Sequence, residues 1–110
     1  MVIESVEKEP RVDIVNWQIH QVTFFNEDKS EHLMGFVPKK KGRVTSAIQV
    51  FEPETRRITT FSGRVYTLIG PPGHCKDAAY VWHLWIKINS VVQDENVTDK
   101  YASQIKKLVM

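Results

Sequence analysis

The chain of 110 residues is long enough for one hydrophobic core and too short for two, since domains run to about 100–150 residues. Hydrophobic residues make up 42% of it and charged residues 25%, which excludes the composition of a disordered chain. With 15 basic residues against 13 acidic ones the net charge is +2, so nucleic acid is not implied by an overall field and any basic site has to come from local clustering.

Residues 1–12 are charged, end on Pro10-Arg11 and keep no sustained period, so they read as a flexible arm ahead of a single domain over 13–110. From 13 to 25 the apolar residues Ile14, Val15, Trp17, Ile19, Val22, Phe24 and Phe25 follow a strand pattern. Their parity changes from odd to even near His20-Gln21, which predicts a β-bulge there. A polar turn over 26–31 leads to a return strand over 32–37, stopped by Pro38. The basic run Lys39-Lys40-Lys41-Gly42-Arg43 then links to a strand over 44–51 that is buried mostly on one side.

A turn over 52–55, a strand over 56–61, the hairpin turn Ser62-Gly63 and a strand over 64–69 complete the β-rich half. Gly70-Pro71-Pro72-Gly73 ends the sheet. Asp77 stands where it can cap a helix running to Ile88, with the apolar stripe Val81, Trp82, Trp85 and Ile88 and both tryptophans lying across the sheet. After a polar stretch over 90–96, Thr98 is placed to cap a last amphipathic helix carrying Tyr101, Ile105 and Leu108. The expected fold is therefore α+β: an antiparallel β-meander of about five strands packed by a tryptophan-bearing helix, with a second short helix at the C-terminus.

The sequence around 66–77 has the outline of a phosphate-binding loop, a strand followed by glycines, a lysine and a helix. The motif G-x-x-x-x-G-K-[ST] needs a glycine where Cys75 stands and a hydroxyl where Asp77 stands, and an acid at that point repels phosphate. The plain reading is a strand-to-helix turn. His74 and Cys75 suggest a thiol nucleophile near a helix N-terminus, with His20, His32 or His83 as its base, but adjacent residues rarely form such a pair. None of the four histidines has metal-ligand spacing, so neither a metal nor a cofactor is called for, and no catalytic residue is assigned.

The basic residues carry more weight. If the 52–55 turn closes an antiparallel pair, Lys39, Lys40, Lys41, Arg43 and Arg64 fall at one end of it and form a positive edge able to hold phosphates. The plain alternative is an edge strand whose lysines discourage unwanted pairing.

The segment Thr45-Ser46-Ala47-Ile48, Ser62-Gly63-Arg64-Val65-Tyr66, Gly70-Pro71-Pro72-Gly73 and Tyr80-Val81-Trp82 resembles a pattern that recurs in short bacterial proteins of no assigned function, some carried by phages or other mobile elements. It covers roughly residues 45–85, and it implies a mobile-element-associated accessory role and no site residues.

The first expectation is a non-catalytic protein-interaction module that binds a protein partner or a second copy of itself through a sheet edge or the C-terminal helix. A nucleic-acid-binding module on the basic edge is the second, and a small Cys/His hydrolase or transferase the third. One cysteine, Cys75, excludes a disulfide framework and suits a reducing cytoplasm, and an acidic N-terminus without an apolar run gives no sign of a signal peptide. No stretch is apolar enough to predict a membrane span.

Overall fold

The computed structural model describes residues 5–109, with side chains as far as Lys106. The first four residues of the predicted arm, Met110 and the side chain of Leu108 lie outside the described residues. The elements in chain order are β1 (Arg11–Phe24), β2 (Lys29–Phe36), β3 (Gly42–Glu52), β4 (Arg57–Thr60), β5 (Val65–Leu68), α1 (Lys76–Ile88), β6 (Val91–Asn96) and α2 (Thr98–Val109). The α+β class and the meander are as the sequence predicts. The strands lie in the order β2-β3-β4-β5-β1-β6, and β1 also pairs with β2, so the first five close into a ring.

Closure depends on two strands, β1 and β3, that change neighbours along their length. The start of β1, from Arg11 to Ile14, runs parallel to β5; the stretch from Gln18 to Thr23 is antiparallel to β2, and His20 to Phe24 is antiparallel to β6 on the other edge. Likewise β3 pairs with β2 through its first half and with β4 through its second. The parallel contact between β1 and β5 is the one departure from an antiparallel meander. Pro10 and Glu9 precede it, and the Pro10 carbonyl accepts a hydrogen bond from the Val65 N–H at 2.9 Å, so the described part of the arm is tied to the barrel.

The bulge in β1 lies earlier than the parity change suggests. The register against β2 steps from Val15↔Phe36 to Gln18↔Met34, leaving one extra residue at Asn16-Trp17, where Asn16 takes φ 50, a conformation asparagine tolerates. Pairing is then unbroken from Gln18 to Thr23, so no bulge opposite β2 sits at His20-Gln21. The parity changes because β1 is covered on both faces in turn. Ile14, Trp17 and Ile19 point into the barrel with Leu33, Ile58, Leu68, Tyr101 and Ile105, whereas Val22 joins Met34, Ala78 and Trp82 under α1. The core of the single domain thus divides into two clusters on opposite faces of β1, one plugged by α2 and one roofed by α1.

Two caps differ from the sequence reading. The residue at the start of α1 is Cys75, which makes no side-chain capping bond, and Asp77 falls inside the first turn, where it meets the positive end of the helix dipole. Ahead of α2 the Asn96 side chain accepts from the Thr98 N–H at 2.9 Å, while the Thr98 hydroxyl turns inward and accepts from the Ile19 N–H at 2.9 Å. The polar stretch 90–96 is a strand. Its sequence shows no alternation because nearly every residue of β6 is exposed, and it is held to β1 through its backbone.

Helix α1 buries Ala78 and Trp82 and half-buries Trp85, as expected of a helix across the sheet, but Ile88 is 79% exposed and belongs to the opposite face. The N-terminal turn of α1 rests directly on Gly42, where an added Cβ would stand 2.3 Å from the Ala78 nitrogen. Among the described residues no helix is long and apolar enough to cross a membrane.

Candidate functional site

The loop from 69 to 75 is built against the β1 bulge. The Ile69 N–H donates to the Ile14 carbonyl at 2.9 Å and the Gly73 N–H to the Trp17 carbonyl at 3.1 Å. The Trp17 indole N–H donates to the Gly70 carbonyl at 3.1 Å, and Arg56 donates to the Leu68 carbonyl at 2.7 Å and to the same Gly70 carbonyl. A Cβ on Gly73 would lie 3.2 Å from Asn16 Cα, so only glycine lets the loop close on the bulge without displacing it. These bonds fix the two prolines as a rigid apolar wall.

Between that wall and α2 lies a cleft of about 470 Å³ lined by Trp17, Pro71, Pro72, Ala102 and Ile105, with Arg56 and Lys106 at its edges. The volume falls in the range of ligand sites, about 300–1,000 Å³. None of these residues, nor Gly70 which also lines the cleft, is acidic, so among the described residues the charge presented to an occupant is positive. On the far side of Pro72 a second, polar hollow is lined by Gln18, Gly73, His74, Asn96, Thr98 and Asp99. The two hollows have Pro72 in common, and the second also has the acidic Asp99 on its lining.

The basic residues picked out in the sequence divide into two groups. Lys39, Lys40 and Lys41 are exposed on the turn before β3, whereas Arg43 and Arg64 are buried, 4% and 5% accessible. What turns the arginines inward is Glu9. Its carboxylate lies 3.8 Å from Arg43 Nη1 and 3.7 Å from Lys40 Nζ, and its carbonyl accepts from Arg64 Nε at 2.9 Å. Among the described residues the Glu9 Oε1 and Arg43 Nη1 atoms have no hydrogen-bond partner, so at this separation they pair with each other by charge alone. The expected edge therefore presents its three lysines and not its two arginines.

Cys75 is half-buried and packs with the core under α1, while His74 and His83 are exposed. His20 donates from Nδ1 to Asp94 at 2.8 Å and meets the Gln18 amide with Nε2 at 3.2 Å. His32 is buried, with Nδ1 donating to the Thr45 carbonyl at 2.8 Å and Nε2 accepting from the Ser30 hydroxyl at 2.7 Å. Both rings thus have partners other than the thiol. The main chain of the 70–73 loop is turned toward β1, and Asp77 stands at the helix start where a phosphate-binding loop needs a hydroxyl.

Burial holds the His32 pKa below its ordinary 6.5, against the opposing effect of the Thr45 carbonyl. Below about pH 6.5 the unfolded chain takes up a proton that the folded chain refuses. The stabilisation is complete above that pH and is lost as the pH falls through the folded-state value. Urea unfolding at a series of pH values from 8 to 5 is expected to show this decline, and His32→Gln is expected to remove the part of it that His32 causes.

Sequence reasoning placed Trp17 in a strand and 70–73 in a turn, without joining them into a site. A signal was present in Pro71-Pro72: consecutive prolines make a stiff apolar surface that a turn alone does not require. Arg56, Ala102, Ile105 and Lys106 carried no such signal.

No family model, curated protein or solved structure matches this chain. A functional reading rests on the chain's own geometry.

Proposed function

We propose that the protein is a non-catalytic binding module whose cleft takes a segment of a partner protein, an apolar side chain entering beside Pro71 and Pro72 and a neighbouring carboxylate facing Arg56 and Lys106. The observation that carries this reading is an apolar cleft whose charged lining residues, among the described residues, are cations. A rigid wall of two prolines loses little entropy when it is covered, which favours binding. The polar hollow on the other side of Pro72 offers groups for a peptide main chain to bond, which favours a segment of chain over a compact small molecule. We place this module in the cytoplasm, where a single cysteine stays reduced.

The test is an NMR titration with acidic peptides that carry one leucine or phenylalanine. The expected shifts fall on the Trp17 indole and the amides of 70–73 and α2. Ala102→Trp fills the cleft and is expected to abolish them. Lys106→Glu is expected to weaken binding by up to about fivefold, as removal of a surface ion pair does. Shifts that avoid these residues at millimolar peptide would refute the reading, and saturation by apolar carboxylates without a peptide chain would replace the partner with a small molecule.

Nucleic-acid binding is the second reading, favoured by three consecutive exposed lysines at 39–41. Salt-sensitive shifts confined to those residues on adding oligonucleotides would bring it forward.

A further inference from the structure

Two histidines of the sheet meet two tryptophans of α1 where the helix rests on the strands. His20 on β1 and His32 on β2 are direct cross-strand partners. The His32 ring lies 4.6 Å from the Trp85 ring and 6.0 Å from that of Trp82, the His20 ring lies 5.4 Å from Trp82, and the two indoles stack at 5.1 Å. His32 is buried with both nitrogens engaged, Nδ1 donating to the Thr45 carbonyl and Nε2 accepting from the Ser30 hydroxyl. A second proton on the ring makes Nε2 a donor, so the Ser30 hydroxyl must turn its own proton away. Among the described residues no carboxylate bonds His32. It meets His20 from β1, the uncharged Thr45 from β3 and the two indoles from α1, and the Cys75 thiol packs against the same cluster. Asp94 of β6 has both oxygens taken, Oδ1 by His20 at 2.8 Å and Oδ2 by the Trp82 indole at 3.0 Å. Glu31, next to His32 in the chain, bonds Lys100 and Tyr101.

The cluster under α1 is separate from the one inside the barrel, so the helix can leave without opening the barrel. It is tethered at both ends, by the loop bonded to β1 at Gly73 and by Ser90, whose carbonyl accepts from the Phe25 N–H at 3.2 Å. We infer that the four rings form a pH-sensitive latch: uptake of a proton by His32 releases α1 from the sheet and uncovers Trp82 and Trp85, while the barrel stays closed. A buried imidazolium without a carboxylate loses its hydration, and the indoles attract a cation too weakly to replace it. Lifting the helix returns the ring to water, where it titrates at about 6.5. With α1 in place, burial holds the proton off to lower pH. The helix is therefore held at full strength above about pH 6.5. Below it each unit of pH favours the released form by up to about tenfold, until the pKa of the closed form is passed. The latch does not rest on binding in the cleft beside Pro71 and Pro72.

NMR of the full chain between pH 8 and pH 5 tests the latch. Hydrogen-exchange protection, corrected for the intrinsic effect of pH, is expected to be at least about tenfold lower for the amides of α1 than for those that join β1 to β5, because the helix opens on its own. Below about pH 6.5 the protection of α1 is expected to fall by up to about tenfold per unit. The His32 ring signals are expected to titrate with a midpoint below 6.5 in the unmodified chain, which needs no variant to fold. His32→Gln is expected to leave the protection of α1 independent of pH, whereas His20→Gln is expected to keep the fall. Equal protection of α1 and the barrel at every pH would mean that the two unfold together, and the inference would be overturned. So would protection of α1 that stays constant to pH 5, a His32 midpoint at or above 6.5, or a fall that disappears with His20 instead of His32.

Discussion

Trp82→Ala is expected to lower the free energy of unfolding by about 3–5 kcal/mol, the usual cost of truncating a buried tryptophan to alanine. Trp82 is 3% exposed and lies at the centre of the core under α1. Its ring stacks on Trp85 at 5.1 Å and meets His20 at 5.4 Å and His32 at 6.0 Å. Truncation opens a cavity that a helix resting on Gly42 cannot close by sinking, because the Ala78 backbone is already against β3. The indole also donates to Asp94 at 3.0 Å, which links α1 to β6. Trp82→Phe keeps most of the burial and loses that hydrogen bond, and is expected to cost only about 1–2 kcal/mol beyond the smaller ring. Urea unfolding of the two variants checks both figures. Equal losses would mean that the hydrogen bond, and not the packing, holds the roof on.

Glu9→Ala is expected to cost about 3–5 kcal/mol, the range for removing one partner of a buried ion pair. The cost is asymmetric. Arg43 has a side chain 3% accessible, so without Glu9 its charge stays in the interior, whereas the Glu9 side chain is 20% accessible and can still reach water. Arg43→Met removes the buried charge and keeps much of the volume, and is expected to be near neutral. Denaturation of the two variants side by side tests the order. If Glu9→Ala were the milder change, the carboxylate would not be what compensates the guanidinium. The same experiment bears on the basic edge, because an Arg43 whose charge is held in the interior by Glu9 is not part of a phosphate-binding surface.

Much of the fold was legible locally. Alternation over 44–51 and 64–69, the hairpin turn at Ser62-Gly63 and the stripe of Trp82 and Trp85 gave three strands and the first helix close to their places, because each depends on residues within one turn or one pleat of each other. The loop Gly70-Pro71-Pro72-Gly73 was legible as a break, since proline removes the N–H that a continuing strand needs. Even Asp77 was placed to within a turn, although it meets the helix dipole from inside the first turn instead of capping it.

Other features depended on contacts between distant residues. A strand covered on one face and then on the other looks like a strand with a bulge, and β1 was misread at His20-Gln21 for that reason. Strand β6 has no buried face of its own to mark it, and its place is set by hydrogen bonds to β1, more than sixty residues away. The cleft joins Trp17, Arg56, Pro71, Pro72, Ala102 and Ile105, which no local period brings together.

The sequence by itself determined an α+β chain with one meander, a tryptophan helix and a terminal amphipathic helix, because periodicity and turn chemistry act over a few residues. Only the tertiary structure decided that β1 and β5 close the ring, that Glu9 draws Arg43 and Arg64 inward, and that Tyr80, Leu84 and Ile88 face out. Burial and charge pairing are set by whichever distant segment comes to lie alongside, and a residue's own neighbours in the chain do not carry that information.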